Sequence, residues 1–358
     1  MKFLRLAFYV LIAQLVLSGC AGEAVEETSS SSASEINFDA YVGRNASTRS
    51  SETNIDFLKG NAFNAGFGVF ARYNYNGKIL SLLDTEHVTW NKDQNHWEYT
   101  KTRFWPSEGS VDFYAFAPYS DQPKMENFEI VFPANMSPVD LVYAKAEGKT
   151  KADNPVKFTF KHALARLSFE ITANQKLEEN GAVIRVKEVK LYGEKENIGI
   201  FRMQGNLNLK TGGWWPYDNG TRWFYTWTPD GKVEGRDDTL EEQQKKGPIY
   251  KLSVPSQLDH EHDKVTNHDD SYIFIIPQKK PDFFNLKITY TVEQGKFKED
   301  VTVTKNLLDV LPGDSDPYFV GGKAYTFHFK LSLDPVNFKV TTTVGNWIGD
   351  VVNDEITI

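Results

Sequence analysis

Val156-Lys157-Phe158-Thr159-Phe160-Lys161-His162-Ala163-Leu164-Ala165-Arg166-Leu167-Ser168-Phe169-Glu170-Ile171 carries two strand patterns that do not share a phase. Phe158 and Phe160 fall on one face of an extended chain, whereas Leu167, Phe169 and Ile171 fall on the opposite parity. Side chains along a strand alternate between faces, so a slip of one residue turns the whole apolar set over. The slip lies within residues 162–166, where a bulge or a short crossover restores inward pointing. Period-two alternation on both sides of such a break is the mark of a chain built from strands.

Outward from this stretch the same signature recurs. Ile36, Phe38, Ala40 and Val42 point one way while Asn37, Asp39 and Tyr41 point the other, which predicts a half-buried first strand. Further strand segments, punctuated by Gly, Pro and Asn, cover 67–75, 111–117, 128–132, 141–144, 183–191, 223–227 and 250–254. Others cover 272–276, 286–292, 301–304, 325–333 and 336–344, and no long helical period competes with them. The 25 Phe, 16 Tyr and 8 Trp suit pleated surfaces, where flat rings pack well. At 358 residues the chain is too long for one ordinary sandwich and about right for two. Polar residues accumulate over 173–181, so the expected division is an N-terminal β-sandwich over 35–175 and a C-terminal one over 176–358.

The N-terminus reads differently. Lys2 and Arg5 precede an apolar run from Leu6 to Leu17, followed by Ser18-Gly19-Cys20. This is a secretory signal over 1–19, well short of the roughly 20 residues that span a bilayer. Leu17-Ser18-Gly19-Cys20 is similar to a bacterial lipobox, in which the cysteine is acylated and becomes the new N-terminus. Acyl burial stabilises membrane attachment by about 0.8 kcal/mol per CH₂, so lipid on Cys20 implies a lipid-anchored, palmitate-bearing lipoprotein of the cell outer membrane. Cys20 is the single cysteine, which excludes an intrachain disulfide. Residues 20–34 are small, acidic and serine-rich, as in a flexible tether.

Chemistry is harder to find. The net charge of −8, with no Lys/Arg cluster, argues against a nucleic-acid partner. No Gly-x-Ser-x-Gly elbow, phosphate loop or dinucleotide pattern is present, and no cofactor or catalytic residue is implied. Asp259-His260-Glu261-His262-Asp263 could hold zinc or calcium through His260, His262 and Asp263, or form a solvated acidic loop; it lacks the helical His-Glu-x-x-His spacing. Trp214-Trp215-Pro216-Tyr217, with Trp223, Tyr225 and Trp227, could stack on sugars or pack as core. His162, beside alanines and a leucine, reads as a packed, hydrogen-bonded histidine.

The ordered set Gly66-Phe67-Gly68-Val69-Phe70-Ala71, Trp90, Trp97, Phe104-Trp105-Pro106, Val111 to Tyr119, Asp140-Leu141-Val142-Tyr143-Ala144 and Phe158 to Leu167 resembles the fimbrillin-like family. The second half agrees more loosely, through Ile275-Ile276-Pro277-Gln278, Gly322-Lys323-Ala324-Tyr325-Thr326 and Trp347. The resemblance implies an all-β protein of two transthyretin-like β-sandwich domains in tandem. It also implies export as a lipid-anchored precursor of a type V pilus stalk, anchor or tip, with a role in cell adhesion. In pilus-forming members an arginine-specific protease cuts after the first strand, and a strand of the next subunit fills the groove. Arg44 and Arg49 follow the first strand here, Arg49 in Thr48-Arg49-Ser50 being the better match. Val352, Ile356 and Ile358 mark 351–358 as a candidate donor strand or a final edge strand. The implied partners are other pilus subunits, the outer membrane through Cys20, and host or bacterial surface ligands. The alternative reading is a surface lipoprotein that binds glycans for capture or uptake.

Overall fold

The computed structural model describes residues 34–43, 52–121, 123, 125–126, 129–131, 140–173, 181–196, 198–202, 205–216, 222–223, 225–227, 257–258, 264–266, 273–311, 318–331 and 339–346. The first half runs through β1 (Phe38–Val42), a one-turn helix α1 (Ile55–Leu58), β2 (Phe67–Tyr75), β3 (Lys78–Asn91), β4 (His96–Tyr99) and β5 (Ser110–Ala117). The short β6 (Met125–Glu126) and β7 (Glu129–Val131) precede β8 (Val142–Lys149) and β9 (Val156–His162). Seven of these form one sheet in the order β1-β9-β8-β5-β2-β3-β4, with β1 parallel to β9. The sheet curls until its ends meet. Glu35 bridges to Phe104, and the Ile36 amide donates to the Arg103 carbonyl at 2.8 Å. Ile36, Phe38, Phe67, Phe113, Phe158 and Phe160 sit in the core that it encloses.

Across Ala163-Leu164 the chain enters a second core. β10 (Ala165–Ala173) is followed by β11 (Val183–Tyr192), β12 (Phe201–Arg202), β13 (Gly205–Asn208), β14 (Trp214–Pro216), β15 (Arg222–Trp223) and β16 (Tyr225–Trp227). Then come β17 (Gln257–Leu258), β18 (Lys264–Thr266), β19 (Ile273–Ile275), β20 (Gln278–Lys279), β21 (Asn285–Gln294), β22 (Phe297–Asn306), β23 (Tyr318–Phe319), β24 (Lys323–Leu331) and β25 (Lys339–Asn346). One sheet has the order β18-β10-β24-β25 with β19 beside β10; another has β16-β11-β21-β22 with β17 beside β11. Leu167, Phe169, Ile171, Phe327 and Phe329 from the first meet Ile184, Val189, Leu286, Ile288 and Tyr290 from the second, a β-sandwich core. The remaining sheets are β14-β13-β7-β6 and the pairs β12-β15 and β20-β23.

The phase slip is therefore a crossover. Phe158 and Phe160 serve the first core, Leu167 to Ile171 the second, and Ala163 and Leu164 belong to a third apolar cluster between them. That seam also holds Phe70, Tyr114, Phe116, Leu207 and Phe274. It explains why Val111 to Ala117 is almost continuously apolar. Phe113 and Ala115 face the first core while Tyr114 and Phe116 face the seam, so both sides of β5 are buried. β10, placed in the first half by the sequence reading, pairs only with β18, β19 and β24 among the described strands. The expected boundary at 175–176 lies outside the described residues. The described residues from Glu35 onward form one compact unit, and the β13–β7 ladder, from Asn206↔Val131 to Asn208↔Glu129, links the halves directly.

β3 and β4 were not legible as strands. Ile79 and Leu80 are exposed, Thr85 has φ +53°, and the β2–β3 register shifts beside Ala71, so β3 keeps no steady inward parity.

Removing a seam side chain should unsettle both halves. Phe116→Ala is expected to cost about 3–5 kcal/mol, read as a lower urea midpoint of a single unfolding transition. Two transitions, with only one shifted, would show that the seam does not couple the cores.

Candidate assembly site: the first strand and its slot

β1 lies at the end of its sheet and has one ladder partner among the described strands. Its pairing with β9 runs from Phe38↔Val156 to Val42↔Phe160. The chain just before it is fastened through backbone and amide groups. Asn37 N donates to Asn154 Oδ1 at 2.8 Å, Val156 N donates to the Asn37 carbonyl at 2.8 Å, and Asn154 Nδ2 donates to the Glu35 carbonyl at 3.1 Å. The predicted alternation holds: Ile36, Phe38 and Val42 are buried, and Tyr41 is 51% exposed. Phe38 is the anchor. Its ring centroid lies 5.3 Å from Tyr99, 5.7 Å from Phe158, 5.9 Å from Phe113 and 6.4 Å from Phe67. Each large apolar side chain contributes about 1.5–3 kcal/mol by burial, so Ile36, Phe38 and Val42 supply most of what holds the strand.

Tyr99 closes the far wall of the slot. Its Oη donates to the Ile36 carbonyl at 2.9 Å and accepts from Arg103 N at 3.0 Å. Burial pushes the phenol above its ordinary value of 10.0, with the Arg103 amide acting the other way. The proton is therefore held more tightly in the folded protein than in the unfolded chain.

Downstream, the chain resumes at a polar network. Thr53 N donates to Asp140 Oδ2 at 2.7 Å, Thr53 Oγ1 donates to the Asp140 carbonyl at 2.5 Å, and His162 Nδ1 lies 2.9 Å from Asp140 Oδ1. Arg166 pairs with Glu52 beside it. Asp140 is fully buried, and a buried carboxylate persists only where such partners surround it. Asn54 then caps α1, its Oδ1 accepting from Phe57 N at 2.8 Å. Sequence reasoning anticipated a hydrogen-bonded His162 and gave Asp140 only as part of the family resemblance, without its hydrogen-bonding role; it missed Thr53 and the Glu52–Arg166 pair. Their partners lie 87 and 114 residues away along the chain, and no local pattern marks them.

Arg44, Arg49, Cys20, His260, His262, Asp263 and 351–358 lie outside the described residues. Of the aromatic stretch, Trp214 is half-buried and Trp215 is 51% exposed. No helix among the described residues is long and apolar enough to cross a membrane.

These features define an all-β protein of two stacked cores whose first strand docks in a slot of its own sheet. The fimbrillin-like family profile matches residues 48–347, and the chain belongs to that family. Among solved structures it is similar to a fimbrial protein from Bacteroides vulgatus, with 19% identity and a TM-score of 0.59 over 87% of this chain and 99% of that one. It also matches a proposed cell-adhesion protein from Bacteroides uniformis, with 16% identity and a TM-score of 0.48 over 87% and 98%. Another from Bacteroides ovatus has 13% identity and a TM-score of 0.43 over 89% and 99%. At these identities the first likeness speaks for the fold. Comparison with curated protein sequences finds no match.

The raised Tyr99 pKa ties the slot to pH. The stability due to this phenol is complete below about pH 10 and is lost as pH climbs through the raised value. Tyr99→Phe is expected to lose about 1 kcal/mol at neutral pH and to flatten the alkaline limb of stability, measured by urea unfolding across pH 7–11. An unchanged alkaline limb would assign that limb to other groups.

Proposed function

We propose that this protein is a structural subunit of a cell-surface fimbrium, exported as a precursor with lipid on Cys20 and assembled by exchange of β-strands. One observation carries the reading. β1 is an edge strand with one ladder partner among the described strands, it and Ile36 just before it bury three large side chains, and Arg44 and Arg49 stand close behind it in sequence. An arginine-specific cut after Arg49 would separate β1 from a chain that resumes at the Thr53–Asp140–His162 network. The lipid on Cys20 would leave with the strand. The emptied slot would offer the outer backbone edge of β9 and an apolar trough lined by Phe67, Phe113 and Phe158. Unpaired sheet edges recruit strands, with main-chain bonds supplying affinity and alternate side chains supplying specificity. The partner is another subunit's extended segment, and 351–358 is the segment of this chain that we assign to that role. On this reading the precursor sits on the outer membrane, the processed subunit sits in the fimbrium, and adhesion is its purpose. No reaction is assigned to it. Family membership and the all-β fold support the reading.

The test is biochemical. Treating the folded protein with an arginine-specific protease should yield a new N-terminus at Ser50 and multimers that resist cold detergent. Arg44→Ala with Arg49→Ala should stay monomeric, and deletion of 351–358 should stop assembly while the unfolding midpoint holds. Multimers that form without cleavage, or that ignore the deletion, would overturn strand exchange.

A further inference from the structure

Two long hairpins carry their turns into solvent, and they differ in chemistry. The β21–β22 hairpin turns at Gly295 with Glu293, Lys296, Lys298, Glu299 and Asp300 around it, and Lys298 pairs with Glu293 at 2.6 Å. The β2–β3 hairpin turns at Asn76-Gly77, both at positive φ, and Lys78 is the only charged residue between positions 73 and 83. Residues 75–81 are all exposed, Ile79 by 60% and Leu80 by 56%. Single exposed apolar residues are ordinary, but here two stand side by side at a tip bare on both faces. Leu80 lies opposite Tyr73 on one face, and Ile79 lies opposite Asn74 on the other.

The tip is braced in this exposed position. Tyr73 and Tyr75 stack with centroids 6.0 Å apart. Tyr73 Oη donates to the Glu108 carbonyl at 3.0 Å, and Tyr75 Oη donates to Glu108 Oε2 at 2.7 Å. Gly109, with φ +77°, lies so close that a Cβ would meet the Asn74 carbonyl oxygen at 2.3 Å, so glycine lets this loop close on the hairpin.

The tip also lies at the end of the sheet where the chain enters. Around the sheet, Asn74↔Ser110, Val111↔Lys149 and Phe38↔Val156 bring the β2–β3 turn, the β8–β9 link and the start of β1 to one end. Phe104, 47% exposed, joins this pole through its bridge to Glu35. Cys20 stands 15 residues before Glu35, a reach of at most about 50 Å. On the reading that Cys20 carries lipid, on which this inference rests, the anchor attaches at the apolar pole. We propose that the β2–β3 tip rests in the bilayer surface in the anchored precursor. Ile79 and Leu80 enter the boundary between headgroups and acyl chains, with Tyr75 and Lys78 at headgroup level. Tyrosine and lysine suit that interface, and a tip bare on both faces suits a fluid surface better than a shaped protein groove. This contact fixes an orientation that a single point of attachment leaves free.

The test uses the chain's own cysteine count. Lipid on Cys20 leaves no free thiol, so an introduced cysteine is labelled alone. Full-length lipidated protein carrying Ile79→Cys, Leu80→Cys or Lys78→Cys, labelled with an environment-sensitive dye, is reconstituted into phosphatidylethanolamine–phosphatidylglycerol vesicles. Phe297→Cys, 50% exposed on the other hairpin, is the control. Doxyl-labelled lipid should quench the dye at 79 or 80 about threefold more than at 297. The turn position 78 supplies the reading if a change within β3 disturbs folding, and adding Ile79→Asp with Leu80→Asp should bring its quenching down to the level at 297. Equal quenching on both hairpins, or none at 78–80, overturns the proposal. So does a signal that grows with protein density at fixed lipid composition, which would make a second copy the occupant. A parent protein that takes the dye has a free Cys20, which overturns the lipid reading and this inference with it; that result is read before vesicles are added and is distinct from the other failures.

Discussion

The crossing at Ala163-Leu164 is the constraint on which the rest of this molecule depends. β9 ends at His162 and β10 begins at Ala165, so two residues carry the chain from one core to another. So short a link leaves the two sheets no freedom to drift apart. Both linking side chains are buried in the seam, and their neighbours are taken up as well. The Ala163 carbonyl accepts from Trp214, the Leu164 carbonyl accepts from Gly322 N at 2.8 Å, and Ala163 N donates to the Leu141 carbonyl at 2.7 Å. A buried backbone group without a partner is costly, and here both carbonyls and the Ala163 amide are matched by groups from three other parts of the chain. The crossover is thus a junction at which distant segments are tied together. The halves are joined by packing in addition to sequence.

That junction also organises the polar residues around it. His162 and Arg166 flank the crossing, and both reach segments far earlier in the chain, His162 to Asp140 and Arg166 to Glu52. The chain from Glu52 onward is therefore tied to the most constrained point of the fold. β1, earlier in the sequence, is held by one parallel ladder and by side chains inserted into the first core. The two segments are fixed by different physics. One is a directional network of buried hydrogen bonds and charge pairs, lost only if several groups are desolvated together without partners. The other is a strand at an edge, held by one ladder and by the burial of its apolar face.

Much of this was legible in the residues, and the reasons are particular. Ile36 to Val42 alternates cleanly because only one face of β1 is buried, and the phase slip at 162–166 is visible because aromatic residues mark both sides of it. The family resemblance came from the first half, whose aromatic order is dense. What stayed hidden was of two kinds. Strand β3 departs from period two because a residue at positive φ and shifts in register break its parity. The links made by Asp140 and Glu52 are products of long-range assembly, since their partners are set by which strands lie side by side. The membership of β10 belongs here as well. Its residues are as apolar as those of β9, so composition marks no border between the cores, and polar residues accumulate only later, over 173–181. Trp214 shows the same limit: its sequence neighbours suggest a stacking surface, yet only the fold decides that its neighbour Trp215 turns outward while Trp214 packs against the seam.

The distribution of β1 among the cores bears on how such a subunit could exchange a strand and survive. Ile36, Phe38 and Val42 all belong to the first core; none reaches the seam or the second sandwich. The burial lost with the strand would fall on a single core whose other walls, β9, β8, β5 and β2, remain in continuous ladders. The seam, with Phe70, Tyr114 and Phe116 on the outer faces of β2 and β5, would still press those strands against the second half. Local opening is limited by the contacts it breaks, and here those contacts are confined to one end of one sheet. A strand docked in the seam, or shared between both cores, could not leave without loosening the whole. Under the proposed exchange, the strand sits where only one core would feel its absence, so an emptied slot would stay shaped for the next strand.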